Sequence, residues 1–164
     1  MCIRDSVYIE AAWMAGAVAL PSSRLAIPRL ALDVSASRAQ DLALVLATSG
    51  STGAPRYAGF SLDAVVRSAS RIARNLGLVR DDVIGVLQPC DHGFGLVGQV
   101  LAAGVVGACA LGASRAFAKE RVEVLVGARA TVFAAVPFGL AQLLPHFDDL
   151  PARDRACVRQ IGVA

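Results

Sequence analysis

Short apolar runs alternate with segments of helical period along this chain. That alternation predicts an α/β fold, a layered and mostly parallel sheet flanked by helices. Three observations carry the prediction. Residues 42–47 and 83–87 are continuous apolar runs of strand length, and 130–136 is a third run, rich in β-formers and polar only at Thr131. Between them, Leu62, Val65, Val66, Ala69, Ile72, Ala73 and Leu76 recur at helical spacing. Hydrophobic residues make up 55% of the 164 residues and aromatics only 5%, so the apolar mass is small aliphatic side chains suited to close helix–sheet layers. The length fits one domain with a real core.

Met1-Cys2-Ile3-Arg4-Asp5-Ser6 reads as a non-native lead-in and is set aside from the fold. Ala11 to Leu20 is Ala-rich and helical, loops follow around Pro21 and Pro28, and 34–41 is a polar linker. Residues 42–47 form the first clear strand. Tyr57 to Phe60 form a short one, Ser61 serves as an N-cap, and Gly77 ends the following helix as its C′ residue. Asp81-Asp82 is a turn of solvated acids, as is Asp148-Asp149. Strand 83–87 follows, then a loop from Gln88 to Gly95, a helix from Leu96 to Val105 and a strand over 108–111. Phe117 to Val126 is a helix with Glu120 and Glu123 on its wet face, and 130–136 is a strand. Pro137 starts a helix that runs to Leu144, Pro145 to Pro151 is a loop, and Cys157 to Val163 is a last strand.

Composition excludes several classes. Sixteen Lys and Arg against thirteen Asp and Glu give a net charge of +3, too small and scattered for nucleic-acid binding. Cys2, Cys90, Cys109 and Cys157 lie far apart without zinc spacing, and are expected to be free thiols in a cytoplasmic protein. No run reaches the about 18 apolar residues of a membrane helix; Leu96 to Ala113 comes nearest, and Gln99 interrupts it. With only His92 and His146 and no G-x-S-x-G turn, a Ser-His-Asp centre is not arguable.

The chemistry concentrates in Leu46-Ala47-Thr48-Ser49-Gly50-Ser51-Thr52-Gly53-Ala54-Pro55-Arg56, directly after the first strand. Glycine lets backbone amides come close to a ligand, Ser and Thr hydroxyls donate to phosphate oxygens, and a guanidinium pairs with them bidentately. An oligophosphate needs these groups; a plain Gly/Ser/Thr turn between two strands fits the composition equally. The spacing is not that of a Walker A loop. Further on, Gly93-Phe94-Gly95-Leu96-Val97-Gly98 spells G-x-G-x-x-G between a strand and a helix. A dinucleotide-binding module centred on Gly93, Gly95 and Gly98 is therefore an alternative. The loop before Gly93 is long for that fingerprint, and no ribose-binding acid follows about 20 residues on.

Thr48 to Arg56 resembles the phosphate-binding core motif of the adenylate-forming superfamily, the group of acyl- and aryl-CoA ligases, luciferases and amino-acid adenylation domains. That family more often carries Lys at the position of Arg56 and Gly at that of Tyr57. Pro89-Cys90-Asp91-His92-Gly93-Phe94-Gly95-Leu96 is similar to the family's P-x-x-H-x-x-G-L segment, whose His lies near the acyl and phosphate pockets; this favours an acyl- or aryl-acid ligase. Thr131 to Pro137 resembles the next strand–Pro–helix unit.

The resemblance implies that residues 7–164 are part of the large N-terminal domain of such an enzyme, with the C-terminal part and small C-terminal domain absent. Its cofactors are ATP and Mg²⁺. Thr48, Ser49, Gly50, Ser51, Thr52, Gly53 and Arg56 bind the phosphates, His92 lies on the substrate side, and no residue of this chain is a metal ligand. The partners implied are a carboxylic acid and a thiol, either CoA or a carrier-protein phosphopantetheine. The family's catalytic Lys lies beyond Ala164, so the isolated chain is expected to be inactive. A non-catalytic phosphate-binding or interaction module is the other alternative.

Overall fold

Leu42–Ala47 (β1) is apolar throughout, and its four central residues are buried. In the computed structural model, which describes residues 14, 19, 41–47, 57–113 and 117–163, β1 pairs antiparallel with Tyr57–Ser61 (β2). These two strands form a sheet of their own. The sequence places 42–47 in the parallel sheet; the chain instead returns at Tyr57, far too soon for the crossover of a dozen or more residues that parallel neighbours need. The register shifts once, between Leu42 and Leu44. Ala19 adds a short parallel bridge to Leu44. The expectations for residues 1–6, the helix and loops of 11–40 and the loop 48–56 lie outside the described residues, except at Met14 and Ala19.

Ser61 caps Leu62–Asn75 (α1) by accepting from the Ala64 amide at 3.3 Å. Gly77, at φ +55°, stops it: its amide and that of Leu78 donate to Arg74 and Ala73 carbonyls, a Schellman closure that glycine enters without steric cost.

Val83–Val86 (β3), Cys109–Gly112 (β4), Val132–Ala135 (β5) and Gln160–Val163 (β6) build a parallel sheet in the order β4-β3-β5-β6. Its two central strands, β3 and β5, are buried apolar runs, as the covered middle of a parallel sheet requires, while β4 and β6 at its edges are more open. Between β3 and β4 runs α2. It consists of Gly93–Gly95, a π-helical turn Leu96–Leu101 and a last α turn Ala102–Gly104, so the helix begins earlier than the sequence places it. Ala118–Gly127 (α3) links β4 to β5. Gly85 sits where a Cβ would collide with Leu125 of α3, which brings that helix close against the sheet.

Pro137–Asp148 (α4) starts on its proline as predicted but runs through Pro145, where the sequence predicts a loop. Packing overrides the lost amide. Leu143 and Phe147 are buried on either side of Pro145, and the Phe147 ring stacks on Phe133 at 5.1 Å. Such a stack adds about 0.5–1.5 kcal/mol beyond burial. A short turn of helix, Ala152–Arg155 (α5), precedes β6, which is shorter than the strand read from the sequence.

The amino ends of the sheet are stapled by polar side chains. Asp82, immediately before β3, is 3% exposed rather than the solvated turn acid expected. Arg159 grips both its oxygens, Nη2 to Oδ2 at 2.5 Å and Nε to Oδ1 at 3.0 Å. Thr131 donates to Asp82 at 2.7 Å and accepts from the Val83 amide at 3.1 Å. The guanidinium beside it holds the Asp82 carboxyl at about 2, against an ordinary 3.8. β3, β5 and β6 are thereby pinned at one end.

Candidate functional site

The candidate site lies at the other end of the same strands. β3 sends its chain to β4 on one side, and β5 sends its chain to β6 on the other. The connections diverge between β3 and β5, and in open α/β sheets ligands bind in the crevice beyond the carboxyl ends at such a switch point. The loop 87–92 leaves β3 there, and α4 starts there from β5.

β1 and β2 meet in the pair Ala47↔Tyr57, the last residue of one and the first of the other. The described chain therefore enters and leaves the segment 48–56 at one place. Thr48, Ser49, Gly50, Ser51, Thr52, Gly53 and Arg56 themselves lie outside the described residues.

The loop carrying His92 is fixed by packing against β1. Cys90 and Leu96 share a buried cluster with Leu44, Leu46, Val65, Val86 and Val100. A Cβ at Gly93 would stand 3.5 Å from the Leu46 side chain, one residue from the end of β1. The His92 amide donates to the Pro89 carbonyl at 3.3 Å, and the Leu96 amide donates to the His92 carbonyl at 3.0 Å. Gly95 admits no side chain, because a Cβ would strike the Pro89 carbonyl and lie 2.7 Å from that of Gln88. The four positions of the Pro-x-x-His-x-x-Gly-Leu pattern thus divide in role. Pro89, Gly95 and Leu96 shape the turn, and His92 presents a half-exposed imidazole.

The same glycines bear on the dinucleotide alternative. Gly95 is spent on the chain's own carbonyls, and a Cβ at Gly98 would lie 3.1 Å from the Phe94 ring. Their closeness serves internal packing at the start of α2.

Two features escaped sequence reasoning. Gln99, 1% exposed inside the π turn, donates from Nε2 to the Ala134 carbonyl at 2.6 Å and accepts from the Gln88 amide at 3.4 Å. It ties the exit of β3 to β5 at the switch point between them. In the sequence it registers only as a polar break in an apolar run. The second is the start of α4 beside the exit of β3: Phe138 is 74% exposed, and the Gln88 side-chain nitrogen Nε2 lies 4.0 Å from a Cβ built at Gly139. Cys109 and Cys157 take part in no disulfide among the described residues. Among the described residues no group of three or more His, Cys, Asp or Glu is arranged to hold a metal, and no helix is long and apolar enough to cross a membrane.

Residues 7–163 match the family described as AMP-binding enzyme. The 2-hydroxy-7-methoxy-5-methyl-1-naphthoate–CoA ligase of Streptomyces carzinostaticus is 30% identical over 141 residues, 81% of this chain and 24% of the ligase. The O-succinylbenzoate coenzyme A synthetase of Bacillus subtilis, solved with AMP, superposes with a TM-score of 0.63 at 25% identity, over 75% of this chain and 30% of that one. ATP-bound MatB from Rhodopseudomonas palustris gives 0.64 at 26% identity, over 74% and 24%. The chain spans about a quarter of the length of the curated relative it matches.

Proposed function

The chain belongs to the AMP-binding enzyme family, and on that premise we propose that it is part of an ATP-dependent acid–thiol ligase. A carboxylate attacks the α-phosphorus of ATP, giving an acyl-adenylate and pyrophosphate; a thiol then takes the acyl group and AMP leaves. In this reading residues 7–164 are a partial AMP-binding domain. The naphthoate–CoA ligase and the O-succinylbenzoate coenzyme A synthetase support an organic acid as substrate and CoA as the thiol, and ATP-bound MatB supports ATP as the nucleotide.

Thr48, Ser49, Gly50, Ser51, Thr52, Gly53 and Arg56 hold the β- and γ-phosphates through hydroxyls, amides and one guanidinium, stabilising charge as pyrophosphate departs. These donors fit a polyphosphate. The described residues offer no cage of three acidic or imidazole ligands, so Mg²⁺ would be held chiefly by phosphate oxygens and waters, its usual mode with nucleotides. Bound there, the ion supplies further charge neutralisation on the phosphates. His92 faces the acid and the phosphates.

The observation that carries the reading is the approach of Gly93 to Leu46. It supports a His92 loop beside the end of β1, after which the proposed phosphate-binding residues follow in the sequence. The test is ATP–pyrophosphate exchange by the longer protein that contains this chain, across a panel of aryl and acyl acids. Exchange that depends on a carboxylate is expected, with none from the isolated 164 residues. Exchange absent for every acid, or equal without any acid, contradicts the ligase reading. A cytoplasmic location belongs to the same reading.

A further inference from the structure

Asp91 precedes His92 in the turn, and its Oδ1 is buried with no hydrogen-bond partner. A buried carboxylate oxygen left unpaired is costly, because desolvation is not repaid. The His92 Nε2 stands 4.0 Å from that oxygen. The two side chains differ in freedom. Asp91 is 22% exposed and His92 is 58% exposed, so the imidazole is the group with room to turn. Its backbone has none, since the His92 amide and carbonyl are both engaged within the turn. A rotation of the ring that closes the gap by about an ångström reaches hydrogen-bond distance.

We propose that Asp91 is the positioning residue of the site: its buried Oδ1 accepts the Nε2–H of His92, fixing the ring and leaving Nδ1 as the nitrogen offered to the crevice. A histidine's working nitrogen is set by the bond its other nitrogen makes. Here that bond comes from the adjacent residue, inside a turn already held by Gly95 and Leu96. The proposal rests on the reading of His92 as a site residue.

The test is NMR of the chain labelled with ¹⁵N-histidine, where His92 and His146 are the only imidazoles. His146 is partly buried on α4 and makes no side-chain hydrogen bond among the described residues, so it is the internal reference. In the neutral ring, wild-type His92 is expected to be a single Nε2–H tautomer whose proton exchanges with water at least about tenfold more slowly than that of His146, as a charge-assisted bond gives. Asp91→Ala should bring His92 to the exchange rate of His146 without moving the His146 signals. Asp91→Asn, which keeps a weaker neutral acceptor, should fall between. A merely structural Asp91 would leave the His92 imidazole proton untouched. An Nδ1–H tautomer, wild-type exchange as fast as His146, or protection that survives Asp91→Ala overturns the proposal. If Asp91→Ala does not fold, the wild-type tautomer and the loss in Asp91→Asn decide it. No ATP or acid enters the measurement, so its failure leaves the ligase reading standing, and failed pyrophosphate exchange with a protected His92 proton falls on that reading instead.

Discussion

Asp82 shows how one side chain sets the response of the fold to acid. Its carboxyl is held at about 2 against an ordinary 3.8, chiefly by the Arg159 guanidinium. A carboxyl lowered on folding contributes stability that is complete above its unfolded value and is lost as pH falls through the folded one. The loss should therefore run from about pH 4 down to about pH 2. With Arg159 partly open to solvent, the pair contributes on the order of 1–2 kcal/mol at pH 7. Asp82→Asn should lower stability by that amount at neutral pH and flatten the acid limb, read by urea titration across pH. An unchanged acid limb would detach the carboxyl from this role. None of this was legible in the sequence: Asp82 finds Thr131 and Arg159 49 and 77 residues away, and an Asp-Asp pair read locally looks like a solvated turn. Asp91 and Gln99 were hidden for the same reason, since nothing in their neighbours announces what they face. His92 and the residues of 48–56 stand out in the sequence as candidates because their types and spacing suggest a chemistry without needing a partner.

The turn after β3 is the element on which the site depends. Gly95 lets the start of α2 rest on the Gln88 and Pro89 carbonyls, and no side chain fits there. Gly95→Ala should push the helix off the turn and destabilise the chain by about 1–3 kcal/mol, the range for overpacking, with a fall in Tm as the readout. An Ala variant as stable as wild type would mean that the turn is not so tightly held. The strands 42–47, 83–87 and 108–111 were readable within a residue at each end, because buried apolar runs have few other uses. The length of α4 was not. Pro145 argues locally for a stop, and only the burial of Leu143 and Phe147 explains why the helix continues. The hairpin partner of β1 was foreseen as a strand but not as its neighbour; the short connection from Ala47 to Tyr57 held that information.

Across the whole molecule, the two ends of one parallel sheet do different work. Salt-bridged and hydroxyl-bonded side chains lock the amino ends, and the carboxyl ends diverge at the β3–β5 switch point, where His92, Gln88 and the start of α4 gather. The α/β class and the parallel sheet followed from the alternation of apolar runs with helical periods. The strand order, and hence the place of the crevice, did not, because periodicity does not say which side of β3 receives β5. Family membership is shown over residues 7–163, and the remaining claim is that residues 48–56 grip a departing pyrophosphate. The most direct measurement is the adenylation rate of the longer protein carrying Thr52→Val, which removes one hydroxyl at nearly constant volume, compared with its affinity for the acid. A donor that strengthens its hold as charge develops should cost rate far more than binding. A loss of about 10- to 1,000-fold in rate, with the upper part matching a lost oxyanion-type donor, and little change in acid affinity is predicted. Wild-type rates in both Thr52→Val and Arg56→Ala would contradict the account and reduce the loop to an ordinary turn.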